Sequence, residues 1–347
     1  MNYQLIRCDM QDPGDVSGMR RLLEDKVIEA SEIKAIIAQT EGDGYARGYA
    51  TLSFQVLLSK YLNMSHQEIF DQIPMMMIGK TGGLMTPHYT LFIKKETEIQ
   101  TDEKRFAFGI ASTPILKKEQ IGTLQQVDLV ANAVREAIAD AGIDSLSDVK
   151  CVEVKCPWGD GGVMSKAASA LGSAVALEEV NRSMIKEDSI NQNHNLYSKK
   201  TSVSAGQEQT SARVIVMGNT KASSSDLLIG SGVMEDALDL EGLYHAFEDI
   251  GINQKGYLKK EVQDQVVQVF VNAGADAISA IRERRHTMHS DALAMHAGIV
   301  AKAVANAVVG SYIGETRILC SAGSEHQGPQ GANLVAPVIR MTNKGAV

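Results

Sequence analysis

The hydrophobic and polar positions of the chain follow two patterns that alternate from one end to the other. Short apolar runs, typical of buried strands, lie at 33–38, 75–78, 149–154, 214–217, 266–271, 318–320 and 334–341. Between them lie segments whose apolar residues recur every three or four positions, beginning at Ala50, Lys166 and Ala301. Such segments predict helices that pack one face on a sheet. The alternation therefore predicts a layered α/β protein.

One unit of this pattern occurs three times. Three predicted strands end in a polar residue followed by a loop of small residues, and these terminal residues are Gln39, Lys155 and Asn272. Further along each copy, the segments MIGKTG, VSAGQE and CSAGSE place at corresponding positions the residues Ile78, Ser204 and Ser321. The separations within the three pairs are 39, 49 and 49 residues. This shared spacing indicates an internal repeat.

In each copy a positively charged residue also lies near the start of the predicted helix that follows the first of these strands. These residues are Arg47, Lys166 and Lys302. Three such units can close around a pseudo-threefold axis, with the strand ends meeting at the centre. We therefore predict an α/β fold of three structurally equivalent units around a central active site. The predicted unit boundaries are 1–103, 104–248 and 249–347.

Composition and charge narrow the class of protein. The 347 residues exceed the usual size of a single hydrophobic core, and their formal net charge is -8. This charge argues against nucleic acid and anionic membranes as partners, because both call for basic patches. No apolar run approaches the roughly 18 residues of a membrane helix, and the start of the chain lacks an apolar signal core. The four cysteines form no C-x-x-C pair. We expect a cytoplasmic protein with a small-molecule partner.

Several short strings resemble those of one known family. They are PGDVSG (13–18), QTEGDG (39–44), TPHYTLF (86–92), VKCP (154–157), SALG (169–172), SAGQE (204–208), VMEDALD (233–239), RRHTM (284–288), SDA (290–292) and SEHQGPQG (324–331). On these residues the chain resembles the cyanuric acid hydrolase/barbiturase family of ring-opening amidohydrolases. The resemblance implies a threefold pseudosymmetric fold, an active site on the axis, and hydrolysis of a cyclic amide.

The resemblance also assigns roles to residues. Each unit of a typical family member contributes a lysine, an arginine and a serine, and the Ser–Lys pair of the middle unit is catalytic. That pair is intact here as Lys155 and Ser204. The other positions that the resemblance places around the substrate are Gln39, Arg47, Ile78, Lys166, Asn272, Lys302 and Ser321. Of these, only the arginine and the serine keep the residue type of the family.

The chemistry of a Ser–Lys pair explains why these residue types matter. A serine hydroxyl becomes a strong nucleophile when a neighbouring base takes its proton. Lysine is such a base only when its pKa falls below the ordinary value of about 10.4, which burial and nearby positive charge both promote. Ser204 also precedes a small-residue turn whose backbone N–H groups, at Ala205 and Gly206, suit a developing oxyanion. Ala322 and Gly323 offer equivalent donors in the third unit.

Two neighbouring features admit more than one interpretation. Ser202 lies two residues before Ser204 on the same predicted strand face, so alternation alone does not separate the two candidate nucleophiles, although the match to Ser321 favours Ser204. The segment RRHTMHSDALAMH contains three histidines, His286, His289 and His296. Their spacing is not that of a zinc motif, and we favour a helix-entry segment over a metal site.

The resemblance has three further implications. Arg285 is expected to support the site of the third unit. A structural Mg²⁺ or Ca²⁺ is expected at Gln327 and Gly328, held mostly by backbone carbonyls. The protein is expected to be a homotetramer, and its chemistry requires no cofactor.

Two functions remain open at this point. The first is a ring-opening amidohydrolase that cleaves a cyclic imide or ureide. The second is a non-catalytic paralogue that binds a small heterocyclic ligand, which the altered positions around the axis would suit. The intact pair of Lys155 and Ser204 favours the first. Because Gln39, Ile78 and Asn272 break the threefold symmetry, we expect a less symmetric ring than cyanuric acid.

Overall fold

Three mixed sheets of one topology make up the protein. The computed structural model describes residues 1–42, 44–80, 82–99, 101–288, 290 and 296–341. In each sheet the first strand pairs with the fourth, the fourth with the second, and the second with the third. Only the second and third strands are parallel, and they are joined by a helical crossover. The α/β fold of three equivalent units predicted from the sequence is therefore confirmed.

The first unit contains four strands and three helices. Its elements are β1 (Asn2–Asp9), α1 (Ser17–Glu24), β2 (Ile33–Gln39), α2 (Gly44–Leu62), α3 (His66–Gln72), β3 (Met75–Ile78) and β4 (His88–Lys95). Helix α3 begins with a capping box, in which Ser65 accepts from the backbone of Glu68 and the Glu68 carboxylate accepts from the backbone of Ser65. These bonds satisfy N–H groups that have no partner inside the helix.

The second unit repeats this order. Its elements are β5 (Arg105–Ser112), α4 (Leu124–Asp140), β6 (Val149–Pro157), α5 (Val163–Ala176), β7 (Thr201–Gly206) and β8 (Arg213–Thr220). Helices α4 and α5 pack closely because small residues line their contact. A Cβ atom at Gly172 would lie only 2.6 Å from the carbonyl oxygen of Val127. The small-residue sequence of α5 thus allows it to lie buried beside α4, with both helices on the sheet.

The third unit begins earlier than the sequence predicts. Its elements are β9 (Leu227–Ile229), β10 (Gly232–Met234), α6 (Leu240–Glu248), α7 (Lys260–Gln263), β11 (Val266–Ala273), β12 (Ala280–Ile281), β13 (Arg284–Arg285), α8 (Ala297–Ile313), β14 (Leu319–Ala322) and β15 (Asn333–Arg340). Strands β9 and β10 pair with β15, although the predicted boundary at 248 assigns them to the second unit. The hydrophobic residues of α6 belong to the core of the third unit as well.

Short 3₁₀ helices complete the secondary structure at Ala30–Glu32, Lys118–Gln120, Leu146–Asp148, Arg182–Met184, Glu187–Ser189 and Ala275–Ala277. No helix in the described ranges is long and apolar enough to cross a membrane.

One face of each sheet packs against the helices of its own unit. The other face packs in a centre that all three units share. Three separate clusters of buried side chains lie between sheet and helices. A fourth cluster contains residues of all three sheets, among them Ile37, Phe108 and Phe270. Because successive residues of a strand point to opposite faces, the alternate positions of β2, β6 and β11 approach one another along the central axis. This arrangement brings together the three strand ends.

Candidate active site

The ends of three parallel strand pairs carry equivalent residues. In the sheet registers the directly opposed pairs are Gln39 and Ile78, Lys155 and Ser204, and Asn272 and Ser321. Opposed residues of neighbouring strands point to the same face of a sheet. Each pair therefore lies on the face that its sheet turns toward the common centre, in the correspondence that the sequence spacing indicates.

A cavity of about 770 Å³ lies where the three units meet. This volume is within the range of small-molecule sites. The predicted site residues that line it are Arg47, Ile78, Lys155, Lys166, Ser204, Ala205, Lys302, Ser321, Ala322 and Gly323. These predicted residues bring several cations, two hydroxyl groups and one branched aliphatic side chain to the cavity.

Lys155 is the most deeply buried cation of this site, with 2% of its surface exposed. Its Nζ donates a hydrogen bond to the main-chain oxygen of Met77 at 3.2 Å, and Oε1 of Glu208 lies 4.0 Å away. Burial is the main cause that lowers the pKa of Lys155; the Glu208 carboxylate opposes this shift and Arg47 adds to it. A lysine in this environment releases its proton more readily than a surface lysine.

The two candidate serines of β7 occupy different depths. Ser204 is half-buried and lines the cavity, directly opposite Lys155. Ser202 lies two residues further from the cavity, is buried, and is opposed by Glu153. Strand alternation places both on the same face, but only Ser204 is at the end of the strand where a ligand can reach it.

The remaining cations of the cavity are held by different partners. Lys166 Nζ forms an ion pair with Glu325 at 2.5 Å, whereas Lys302 Nζ donates to the main-chain oxygen of Gly79 at 2.9 Å. Burial, assisted by the nearby charge of Arg47, lowers the pKa of Lys302 to about 8. Within the described residues, Nε of Arg47 has no hydrogen-bond partner. These groups give the cavity a positive character that suits a ring with several carbonyl oxygens.

Four predicted binding residues do not line the cavity. Gln39 and Asn272 turn their amides to main-chain atoms instead of toward the cavity, because their side chains end beside neighbouring strands. Gly206 faces the Glu208 carboxylate, which a Cβ atom would meet at 2.1 Å. Arg285 lies exposed on the β12–β13 hairpin, opposite Ala280.

Other lining residues were not identified from the sequence. Trp158, Lys80, Asp276 and Glu325 all line the cavity. Two of them had a usable signal, since Trp158 follows the VKCP string directly and Glu325 belongs to SEHQGPQG. Lys80 lies in the MIGKTG segment and Asp276 in the 3₁₀ helix Ala275–Ala277, but no pattern in the sequence marks either as a site residue. Only the folded arrangement brings these two to the axis.

The loop expected to hold a cation is tightly bonded within the protein. Oε1 of the buried Gln327 accepts from the backbone N–H of Val203 at 2.6 Å, and its Nε2 donates to Glu325 at 3.2 Å. The N–H of Gly328 donates to the main-chain oxygen of Ser198 at 2.8 Å. No group of three His, Cys, Asp or Glu side chains suited to a metal occurs in the part of the chain that the structure describes. Both polar atoms of the Gln327 side chain are therefore already hydrogen-bonded within the protein.

Comparison with known proteins gives concordant results for sequence and structure. A profile of the family described as "Amidohydrolase ring-opening protein" matches residues 4–159 and 160–340. The chain is 37% identical to a cyanuric acid amidohydrolase of Enterobacter cloacae, over 98% of this chain and 100% of that protein. It is 36% identical to a cyclic amide hydrolase of a Rhodococcus species, over 95% and 100% of the two chains. A solved cyanuric acid hydrolase matches with a TM-score of 0.91 at 33% identity, covering 98% and 99% of the two chains.

Fold, cavity and relatives thus define an enzyme of the hydrolase class that acts on C–N bonds of cyclic amides. The protein belongs to the ring-opening amidohydrolase family. The family resemblance found in the sequence is therefore confirmed.

Proposed function

We propose that this protein opens a cyclic imide or ureide by attack of Ser204 on a ring carbonyl, with Lys155 as the general base. The observation that carries the proposal is the position of a buried lysine directly opposite a cavity-lining serine. Burial lowers the pKa of Lys155, so that its amine can accept a proton from the serine hydroxyl. The main-chain oxygen of Met77 orients Nζ.

In the proposed first stage, Ser204 Oγ bonds to the ring carbonyl carbon while its proton passes to Lys155 Nζ. The ring C–N bond then breaks, and the leaving nitrogen takes that proton from Lys155. The product is an opened chain joined to Ser204 as an ester. In the second stage a water molecule attacks the ester, Lys155 accepts one proton from it, and the proton returns to Ser204 Oγ as the acid is released.

The backbone of both S-A-G segments has a role in this scheme. The N–H group at Ala205 would bind the oxyanion that forms beside Ser204, an interaction whose loss typically costs about 2.7–4 kcal/mol in transition-state stabilisation. Gly206 does not line the cavity, and the N–H of Gly323 already donates to Ala273. In the third unit the N–H group at Ala322 and the Ser321 hydroxyl would therefore hold a second carbonyl of the ring. Arg47, Lys166 and Lys302 supply positive charge around the remaining oxygens.

Ile78 favours a ring without threefold symmetry. It stands where a hydroxyl occurs in the other two units, lines the cavity, and packs in the central hydrophobic cluster. A ring carbonyl facing Ile78 would lose its hydrogen bonds, which costs about 1–3 kcal/mol. We therefore propose a substituted pyrimidine-dione or another cyclic imide with carbon on that side as the preferred substrate.

The test is a screen of cyclic imides, ureides and lactams, monitored by loss of ring absorbance, followed by two serine variants. Ser204→Ala should lower turnover of the best ring by about 10³-fold or more while the ring still binds, because only the covalent step is lost. Ser202→Ala, a matched change on the same strand face, should retain most turnover. The reverse outcome would identify Ser202 as the nucleophile, and full activity of both variants would exclude attack by either serine.

Three further expectations accompany this proposal. The family resemblance suggests a homotetramer, which light scattering after size-exclusion chromatography would measure. A cytoplasmic location is expected as well. A cation at Gln327 and Gly328 would be bound by main-chain carbonyls, since the Gln327 side chain is already bonded to Val203 and Glu325. No step of the proposed reaction involves it.

A further inference from the structure

Two of the three side chains at the strand ends contact a neighbouring unit by one rule. Lys155 of the second unit donates to the main chain of Met77 in the first unit at 3.2 Å. Gln39 of the first unit accepts from the main-chain N–H of Cys320 in the third unit at 2.6 Å. Met77 and Cys320 hold equivalent positions, since they directly precede Ile78 and Ser321. The same rule would direct Asn272 of the third unit to Val203 of the second.

The third contact departs from this rule. The Asn272 side chain is one methylene shorter than glutamine, and its Nδ2 donates at 2.7 Å to Gly323 of its own unit. The N–H of Val203 is bonded to Gln327 instead. Oδ1 of Asn272 is buried and, within the described residues, accepts no hydrogen bond. A buried acceptor without a hydrogen bond destabilises the folded protein, so a donor is expected beside it.

The neighbouring positions supply one. A cavity of about 10 Å³ between the second and third units is lined by Asn272, Glu153 and Ser202. Ser202 Oγ is also buried and, by hydrogen-bond geometry within the described residues, has no partner. Four apolar residues occupy the positions equivalent to Glu153 and Ser202 in the other units: Ile37, Met76, Phe270 and Leu319. The polar pair is therefore specific to this interface, and the cavity volume suits one water molecule.

Glu153 can hold a water molecule in either protonation state. No cation lies within 4.0 Å of its carboxyl group in the described ranges, and burial raises its pKa to about 8, opposed only by the Ser202 hydroxyl. The groups that face it are Cys151 and Lys155 on β6, Ser202 on β7, the Cys320 thiol on β14, and Lys150, Lys199 and Lys200 around the small cavity. A neutral carboxyl donates a hydrogen bond to water and a carboxylate accepts one from it, and in both cases the water molecule keeps an O–H that can donate to Asn272.

We propose that Glu153 is a positioning residue: it holds one buried water molecule, whose O–H donates to Oδ1 of Asn272 and thereby fixes the Ser321–Gly323 segment at the cavity. Asn272 transmits the effect because its Nδ2 holds the carbonyl of Gly323. The N–H of Gly323 is bonded to Ala273 in turn. The effect on substrate rests on the proposed function, but the hydrogen-bonded link can be tested without it.

Amide hydrogen exchange of the peptide 319–324 tests the link directly, with Glu153→Gln and Glu153→Leu. At about pH 7 the leucine variant, which cannot bind the water molecule, should exchange about 10-fold faster than wild type, as expected for one lost hydrogen bond. The glutamine variant keeps polar atoms that bind the water molecule and should keep wild-type protection. Equal protection in all three proteins would overturn the proposal.

A matched carboxyl control is available at Glu179. Burial raises its pKa too, but it accepts from the backbone of Lys199 at 3.0 Å and does not itself line the small cavity. Glu179→Gln should leave exchange of 319–324 unchanged. A similar loss of protection in this variant would indicate general loosening and would contradict the specific role of Glu153.

Binding of barbituric acid and cyanuric acid to the Ser204→Ala protein tests the consequence for substrate, since no turnover interferes. Whichever of the two rings binds this protein should bind about 10-fold more weakly when Glu153→Leu is added. With Glu153→Gln instead, its affinity should stay within about twofold of the Ser204→Ala parent. If Ser204→Ala retains turnover, the proposed function fails and the exchange experiment still decides the role of Glu153. If turnover is lost but the leucine variant binds as tightly as its parent, only the positioning role fails.

Discussion

Replacement of Glu153 by glutamine should make the protein more stable at alkaline pH but not at acid pH. In the unfolded chain this carboxyl ionises near its ordinary pKa of 4.5, whereas in the folded protein burial raises the pKa to about 8. Between these values the folded state must keep a proton that the unfolded state has released. Wild-type stability is therefore full below pH 4.5 and falls as the pH rises toward 8.

The size of the effect follows from the same two values. Each tenfold difference in proton affinity between folded and unfolded protein is worth about 1.36 kcal/mol, so the complete loss is about 4 to 5 kcal/mol. Glutamine has nearly the same shape and does not titrate. The difference in unfolding free energy between variant and wild type should thus grow by about 4 kcal/mol from about pH 5 to about pH 9.

Urea denaturation of both proteins at several pH values measures this growth, and any pH-independent effect of the substitution cancels in the comparison. Glu136→Gln is a suitable control, because Glu136 is an exposed carboxyl on α4. The control should run parallel to wild type at every pH. A constant difference between wild type and Glu153→Gln over the whole range would show that Glu153 is ionised in the folded protein, and the reasoning from burial would be refuted.

Two predictions concern the substrate cavity. Ile78→Ser combined with Gln39→Lys should raise kcat/KM for cyanuric acid, relative to kcat/KM for the preferred ring, by about 10-fold. The reason is that the new hydroxyl recovers a hydrogen bond worth about 1–3 kcal/mol. An unchanged ratio would show that these two positions do not determine specificity. Arg47→Gln should move the acid limb of the kcat/KM–pH profile to higher pH, because the Arg47 charge helps to lower the pKa of Lys155. A limb that stays in place or moves to lower pH would exclude this electrostatic role.

The repeat could be predicted from the sequence because its signals are local. The strands that end at Gln39, Lys155 and Asn272 are apolar runs followed by small-residue loops, and their alignment requires only counting. Strands β9 and β10 were assigned to the wrong side of the predicted boundary because their pairing partner is more than 90 residues away, in β15. Local periodicity contains no information about which sheet a short strand joins.

The residue types of the site could be predicted from the sequence, but the directions of their side chains could be predicted less well. Lys155 and Ser204 are opposed as their spacing indicates, but Gln39 and Asn272 turn to the main chain of neighbouring strands. That orientation depends on the distance between units, which no sequence pattern reports. The role of Glu153 could not be predicted for a similar reason. What a glutamate in the middle of an apolar strand does depends on the residues that surround it in space.

The side chains at the strand ends use main-chain atoms of the neighbouring unit as partners: Met77 for Lys155 and Cys320 for Gln39. Lys302 likewise uses Gly79. Every residue type carries a backbone carbonyl, and every one except proline carries a backbone N–H. A change at one strand end therefore requires no compensating side-chain change in the next unit. The three copies can therefore diverge one at a time while their junctions persist. A gene that encodes three joined copies can therefore mutate each third of the site independently. A symmetric assembly of identical subunits cannot do so, because every mutation appears in all of its subunits.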